Sequence, residues 1–399
     1  MNYHQTRERF SRLLLEGVAP FWMSRGIDWE YGGVLSCMAE DGSPISGDKF
    51  MWSQARSVWT FSALYNRVEK RPEFLKVAEN SVRFLLAHGR DDQGRWVYHT
   101  DRQGKVIEGA VSIYTDCFAI YGLSEYYRAV PDPQILSIAR TTFERVRRRI
   151  EEPDFSETAP YPLLKGWKNH AVPMIMTETT GELAETTADG ELEALADSYA
   201  TRVMSHFVRP ERKLLLEFLT DRYEELPPPA GTWVMPGHAI ESMWFVLHRA
   251  WRRGDGALAE RAAEVIRWHL ERGWDPEYGG IFLGIDAEGH PPFLPHAEKK
   301  SWWPHTEALY ALILAHHLTG KQWCAEWYDK VEEWAFAHFP MPAVGEWRQR
   351  LTRQGLPTTE VFALPVKDPF HLPRAAILIL QLIERANRER AGGAPSPSA

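Results

Sequence analysis

The sequence predicts an all-α protein, an (α/α)6 barrel of about twelve helices with short β-hairpins between helices at one end. Three observations carry this expectation. Six apolar helix starts recur at intervals of roughly 60 to 67 residues, each with a polar residue at a matching place. Those residues are Arg56 in WSQARSVW, Asp116 in IYTDCFAIY, Glu178 in AVPMIMTE, Glu241 in PGHAIESMW, Glu307 in WWPHTEALY and Arg374 in FHLPRAAIL. Between them stand strand-like pairs bounded by glycine. Finally, the first and last marked helices (51–66 and 369–384) are as apolar and aromatic as the middle ones.

Taken in order, the chain opens on a polar helical segment, MNYHQTRERF. The helices between the marked ones, such as LKVAENSVRFLLAHG (75–89) and LAERAAEVIRWHLERG (258–273), repeat apolar residues every three or four positions, as one buried helical face requires. The hairpins are clearest in 28–42, 91–104, 275–289 and 345–355, with a weaker version in KLLLEFLTDR (213–222). Their DG, EG and QG dipeptides suit tight turns, because glycine accepts the positive φ such turns demand. Two helices per unit and short returns make successive helices antiparallel neighbours. An open array needs polar end caps, and the apolar terminal helices argue for ring closure instead. Residues 1–387 are thus expected to form one domain and 388–399, ending in GGAPSPSA, a disordered tail.

Composition narrows the function. Of 399 residues 44% are hydrophobic and 25% charged, an ordinary globular balance. A net charge of −8 offers no basic field for nucleic acid or anionic lipid, and the run RVRRRIEE (145–152) reads as a solvated helix face. Cys37, Cys117 and Cys324 are too few and too far apart for a disulfide framework or a CxxC metal site. With no signal-peptide pattern and no apolar run long enough to span a bilayer, a cytoplasmic location is expected. The excess of aromatics, 17 Trp, 14 Tyr and 18 Phe, offers flat faces suited to sugar rings as well as to a core.

Histidine accompanies three of the six marked positions. His238 and Glu241, and likewise His371 and Arg374, are i,i+3 neighbours on one helical face. His305 and Glu307 are two apart, so only one of them faces the centre, and Glu307 is favoured. His170 precedes the third marked helix, whereas His269, His316, His317 and His338 sit on ordinary helices and read as structural. No HExxH or closely spaced ligand set points to zinc, and no metal site is assigned. Opposed carboxylates would permit glycoside hydrolysis. Two imidazoles with arginines suit proton transfer beside a carbonyl better, one group removing the proton while guanidinium stabilises the enediolate.

The segments FWMSRGIDWEYGG, KFMWSQARSVW, MPGHAIESMWFVL, GWDPEYGGIF, KSWWPHTEA and VKDPFHLPRA together resemble the N-acylglucosamine 2-epimerase family, whose vertebrate members are also called renin-binding proteins. The resemblance runs over nearly the whole chain. It implies an (α/α)6 barrel that interconverts N-acetyl-D-glucosamine and N-acetyl-D-mannosamine, with no cofactor required, a nucleotide such as ATP as a possible activator, and a homodimer. It implies His238 and His371 as the acid/base pair, Arg56 on the oxygens of the opened sugar with Arg374 supporting it, and Glu241 and Glu307 orienting the histidines. Trp52, Trp303 and Phe370 would wall the sugar, with Met235 beside it. Cellobiose 2-epimerases and aldose–ketose isomerases share the fold but carry a further histidine where this chain has Ile175. That favours the N-acylated substrate. The departures are Met235 where asparagine is common, His296 where glutamate is frequent, and Asp368 for glycine. The alternatives are a 2-epimerase or isomerase of an unmodified sugar such as D-mannose or D-glucose, and a carbohydrate-binding or protein-partner module without catalysis.

Overall fold

Two concentric rings of helices form the molecule, a computed structural model in which residues 1–390 are described. There are twelve helices among the described residues. α1 begins as Tyr3–Arg12 and continues through wider π-type turns to Gly26. α2 is Met51–Ala63 extended by Leu64–Val68, α3 Pro72–His88, α4 Ile113–Ala129, α5 Pro133–Arg149 and α6 Ala171–Thr187. α7 is Gly190–Arg202 extended by Val203–Phe207, α8 Pro236–Arg253 and α9 Gly256–Gly273. α10 is Trp302–Thr319, α11 Gln322–His338 and α12 His371–Arg390.

The even-numbered helices carry the six marked residues and form the inner ring, each touching the next, and α12 returns to α2. The odd-numbered helices form the outer ring. Each of α3 to α11 packs on the inner helix before it, and α1 packs on α12. The N-terminal helix therefore completes the sixth unit, and ring closure joins the two ends of the chain. Burial follows from this layering. α10 is buried without interruption from Pro304 to Ala315, because it has neighbours on every side. α9 buries Ala259, Ala262, Ala263, Ile266, His269 and Leu270 and leaves Arg261, Glu271 and Arg272 to solvent. The returns are short where the local chemistry allows it: Gly254 and Gly320, at φ 63° and 67°, end α8 and α10, and Asp132, Asp189 and Asp255 cap α5, α7 and α9 through backbone N–H groups.

The strands are two or three residues long and lie at the N-terminal ends of the inner helices. β1 (Lys49–Phe50), β4 (Trp167–Asn169), β8 (Trp233–Val234) and β10 (Lys300–Ser301) lead into α2, α6, α8 and α10. They pair antiparallel with β2 (His99–Thr100), β7 (Phe218–Thr220), β9 (Ile285–Asp286) and β13 (Arg350–Leu351) of the following units. Two loops are tied down identically. Asp28 of DWEYGG takes Lys49 at 3.0 Å together with Arg102, and Asp275 of DPEYGG takes Lys300 at 3.0 Å together with Arg353. Both lysines are fully buried. Burial opposes the ionisation of Asp28, but the hydrogen bonds from Arg102 and Lys49 outweigh it and hold its pKa down to about 2. The repeat thus extends to its ion pairs.

α12 reaches Arg390, so residues 388–390 are helical rather than part of the expected tail, and 391–399 lie outside the described residues. The three cysteines are free and buried. No described helix is long and apolar enough to cross a membrane.

Candidate active site

The hairpin-lined end of the inner ring gathers most of the predicted residues, but not all six marked positions. His371 opens α12, and its Nδ1–H donates to Glu307 Oε1 on α10 at 2.7 Å. The other oxygen of Glu307 accepts from Trp244 Nε1 at 2.8 Å. Arg374, one turn along α12, donates to Glu307 at 2.8 Å and to Glu241 on α8. Only 2% of Arg374 is exposed. Glu241, Glu307 and His371 bring ligand atoms within 4.8 Å of one another, a spacing open to a metal ion. Here the Arg374 guanidinium bonds both carboxylates and supplies the positive charge between them.

His238, in the first turn of α8, shares a neighbour with His371. Its ring lies 5.3 Å from that of Trp303, and the ring of His371 lies 5.7 Å from Trp303. The Nδ1–H of His238 donates to Glu217 Oε1 at 3.0 Å. Each imidazole is therefore held at Nδ1 by its own carboxylate, which leaves Nε2 as the nitrogen with a free lone pair.

The two histidines differ in charge preference. Burial disfavours the cation of both. At His238 the charge and hydrogen bond of Glu217 prevail, with help from Glu241, and the pKa is raised above that of free histidine. At His371 burial is reinforced by the Arg56 and Arg374 cations, and the pKa is pushed down to about 3. Of the two, His238 is thus the one that favours the added proton and His371 the one that favours the neutral form.

Arg56 lies between rings. Its guanidinium carbon is 4.8, 4.0 and 4.6 Å from the ring centres of Trp52, Phe118 and Phe370. One nitrogen donates to Asp368 Oδ2 at 2.9 Å, and Nε has no protein partner. Asp368, which departs from the family's glycine, is thus the anchor of Arg56.

Several expectations need correction. Glu241 does not hold His238; it pairs with Arg374, and Glu217 takes the histidine. Arg374 is walled in, so it supports the carboxylates rather than reaching a sugar. Phe370 is completely buried between the two guanidiniums and is no wall. Trp52 and Trp303 keep partly exposed faces, and Met235 caps the start of α8. His305 has both nitrogens committed to backbone, to Ser301 O at 2.7 Å and Ile281 N at 2.8 Å, so Glu307 is the inward residue of that pair. His269 is committed in the same way, to Val265 O and Leu215 N. Asp116 faces Arg149 of the outer ring at 3.9 Å, and burial pushes its pKa up to about 7. Glu178 is spent on His248 at 3.3 Å, which in turn meets the Tyr310 hydroxyl at 2.7 Å. Sequence reasoning missed Glu217. The available signal was a single charge in the otherwise apolar run LLLEFL (214–219).

Comparison with known proteins agrees with this architecture. The family model described as N-acylglucosamine 2-epimerase (GlcNAc 2-epimerase) matches residues 33–374. The N-acylglucosamine 2-epimerase of Bos taurus is 31% identical over 381 residues, covering 92% of this chain and 89% of its own. Among solved structures, cellobiose 2-epimerase from Bacillus thermoamylovorans superimposes with a TM-score of 0.83 at 19% identity, over 96% of this chain and 100% of that one. A D-mannose isomerase does so with a TM-score of 0.78 at 16% identity, over 94% and 96%. These structures share the fold. With the family model covering most of its length, the chain belongs to the N-acylglucosamine 2-epimerase family and is a carbohydrate isomerase.

Proposed function

We propose that the chain interconverts N-acetyl-D-glucosamine and N-acetyl-D-mannosamine by moving the C2 proton through the enolate of the open-chain aldehyde. The observation that carries this reading is the pair of imidazoles that both neighbour Trp303, each pinned at Nδ1 by a separate carboxylate and each without a partner at Nε2. Ring opening exposes the C1 aldehyde and acidifies C2–H. One histidine removes the proton and the other returns a proton to the opposite face of C2. Arg56, whose side chain stays partly exposed, binds the oxygens on which negative charge develops. Trp52 and Trp303 contact the sugar, and Met235 stands nearest the 2-substituent. The chemistry calls for neither nicotinamide nor metal. A homodimer in the cytoplasm, with a nucleotide as activator, completes the proposal.

The test is a side-by-side incubation of N-acetylmannosamine and mannose in D2O, with products separated and deuterium located by NMR. The expected result is N-acetylglucosamine carrying deuterium at C2. Epimerisation with full retention of the original hydrogen would overturn the two-base route. Ketose formed from mannose, with deuterium at C1 and no reaction of the N-acylated sugar, would instead establish the unmodified-sugar reading, in which the C2 hydroxyl makes the intermediate an enediolate that is protonated at C1.

Asp368 gives a second expected result. The variant D368N frees Arg56 from its charged anchor. kcat for the N-acyl sugar should fall about tenfold, the equivalent of one charge-assisted hydrogen bond to the developing charge, while KM changes much less. An unchanged kcat would show that Arg56 is positioned by its aromatic neighbours alone.

A further inference from the structure

The weakest of the five hairpins marked in the sequence carries the least expected group in the site. Glu217 lies between β6 (Leu214–Leu215) and β7, only 4% exposed, in a stretch whose other residues are apolar. Its backbone carbonyl accepts from His170 N–H at 3.1 Å, which ties the hairpin to the start of α6. Its side chain reaches between two imidazoles. Oε1 meets His238 Nδ1 at 3.0 Å and Oε2 lies 3.4 Å from His170 Nδ1. His170 is fully buried, and its ring stands nearly edge-on to that of His238, 5.9 Å away at 70°. Neither ring nitrogen of His170 makes a hydrogen bond, so its approach to Oε2 is a close packing contact.

We infer that Glu217 and His170 form a positioning pair for His238, in which Glu217 fixes the imidazole tautomer and His170 steadies the second oxygen of Glu217. This inference rests on the epimerase reading of His238. The physical reasoning has two parts. A neutral imidazole exchanges its N–H between two nitrogens, and only one arrangement leaves Nε2 able to accept a proton. An ionised carboxylate at Nδ1 accepts and cannot donate, so it selects that arrangement. A glutamate held by one hydrogen bond can still swing about its terminal torsion. The buried His170 ring, packed 3.4 Å from Oε2, leaves that torsion no room to swing, and the backbone bond to His170 holds the two segments together.

The surrounding charges fit these roles. Burial keeps His170 neutral, with the approach of His238 acting in the same sense and Glu217 opposing it. A neutral His170 does not cancel the charge of Glu217, whose full negative charge therefore serves His238. The other titratable groups that face the pair are Glu241, which also favours the His238 cation, and His269 and Tyr114, both near Glu217. His269 is neutral under its own burial and Tyr114 is held protonated by burial. Glu217 is thus the dominant partner of His238.

The decisive variant is E217Q, read in the full chain labelled with 15N-histidine. Glutamine keeps the shape but can present its N–H2 to Nδ1, which favours the opposite tautomer. In the wild type His238 should titrate above free histidine with Nδ1 protonated in its neutral form. In E217Q the midpoint should fall by about 1 to 3 pH units and the tautomer signature should switch to Nε2. The alkaline limb of the kcat/KM profile should move down with it. The accompanying loss should fall in kcat, by roughly 10² to 10⁴ as for other reversed-tautomer histidines, with KM nearly unchanged. A purely structural glutamate would move none of these. If E217Q gives a poorly dispersed spectrum, E217D supplies the same readouts with its carboxylate withdrawn from Nδ1, and an intermediate midpoint is expected. An unchanged His238 midpoint and tautomer in the folded variant overturns the inference. The NMR readout needs no turnover, so a wild type without C2–H exchange would sink the epimerase reading alone.

Discussion

The variant His371→Gln should lose epimerisation, with kcat reduced by on the order of 10² to 10⁴, the usual contribution of a positioned acid/base group. His238→Gln should fall by a similar factor. Each variant retains one intact base, so each can still exchange C2–H with solvent from one epimer, and the two should act on opposite epimers. Mixing both sugars with each variant in D2O and following the C2–H signals by NMR checks this. Wild-type-like turnover in either variant would remove that histidine from the mechanism.

The same pair fixes the pH profile. The active form carries one proton shared between the two histidines, so both reaction directions follow the same curve. A lowered pKa keeps His371 neutral throughout the mildly acidic range, and a raised one keeps His238 protonated past the pKa of free histidine. Activity should therefore persist well below pH 6.5, a value near the ordinary histidine pKa. It should decline as pH rises through the elevated pKa of His238. A conventional rise in activity through pH 6 to 7 would contradict the assignment.

Removing the central cation has the largest expected effect on stability. Arg374→Met leaves Glu241 and Glu307 buried without their guanidinium, and breaking a buried ion cluster costs about 3–5 kcal/mol. The sign of its pH dependence follows from linkage. Without Arg374 two buried carboxylates lie side by side with no counter-charge, and both desolvation and their mutual repulsion favour the neutral form. The penalty is then fullest at neutral pH and shrinks as pH falls and the carboxyl groups take up protons. Urea midpoints of variant and wild type should differ more at pH 7 than at pH 5. Equal differences at both pH values would mean that lost packing against Trp244 and Phe370, rather than charge, dominates.

How much of this was legible in advance depended on the range of the interaction. The inner helices announced themselves because a helix surrounded on all sides must be apolar on all sides, and a sixfold recurrence of such segments implies a ring. His238 and His371 could be found because each sits beside the polar residue that marks its unit. The choice of Glu307 over His305 followed from helical spacing and agrees with the backbone commitments of His305. Asp116 and Glu178 obeyed the same repeat but did not join the site. A helix period fixes the face of a residue only to within a turn, and depth along the barrel axis and rotation toward the outer ring depend on neighbours.

The sequence by itself determined the barrel, the family and the two histidines, since these rest on periodicity and on short motifs along one strand of chain. Only the tertiary structure decided who holds whom. Glu217 reaches His238 from a hairpin 21 residues earlier, Asp368 reaches Arg56 across 312 residues, and Arg374 joins Glu241 across 133. Such partnerships depend on ring closure, which brings remote hairpins and helix starts to one end of the barrel. In a low-dielectric interior each buried charge must find a counter-charge, and which one it finds is set by geometry that no local pattern records.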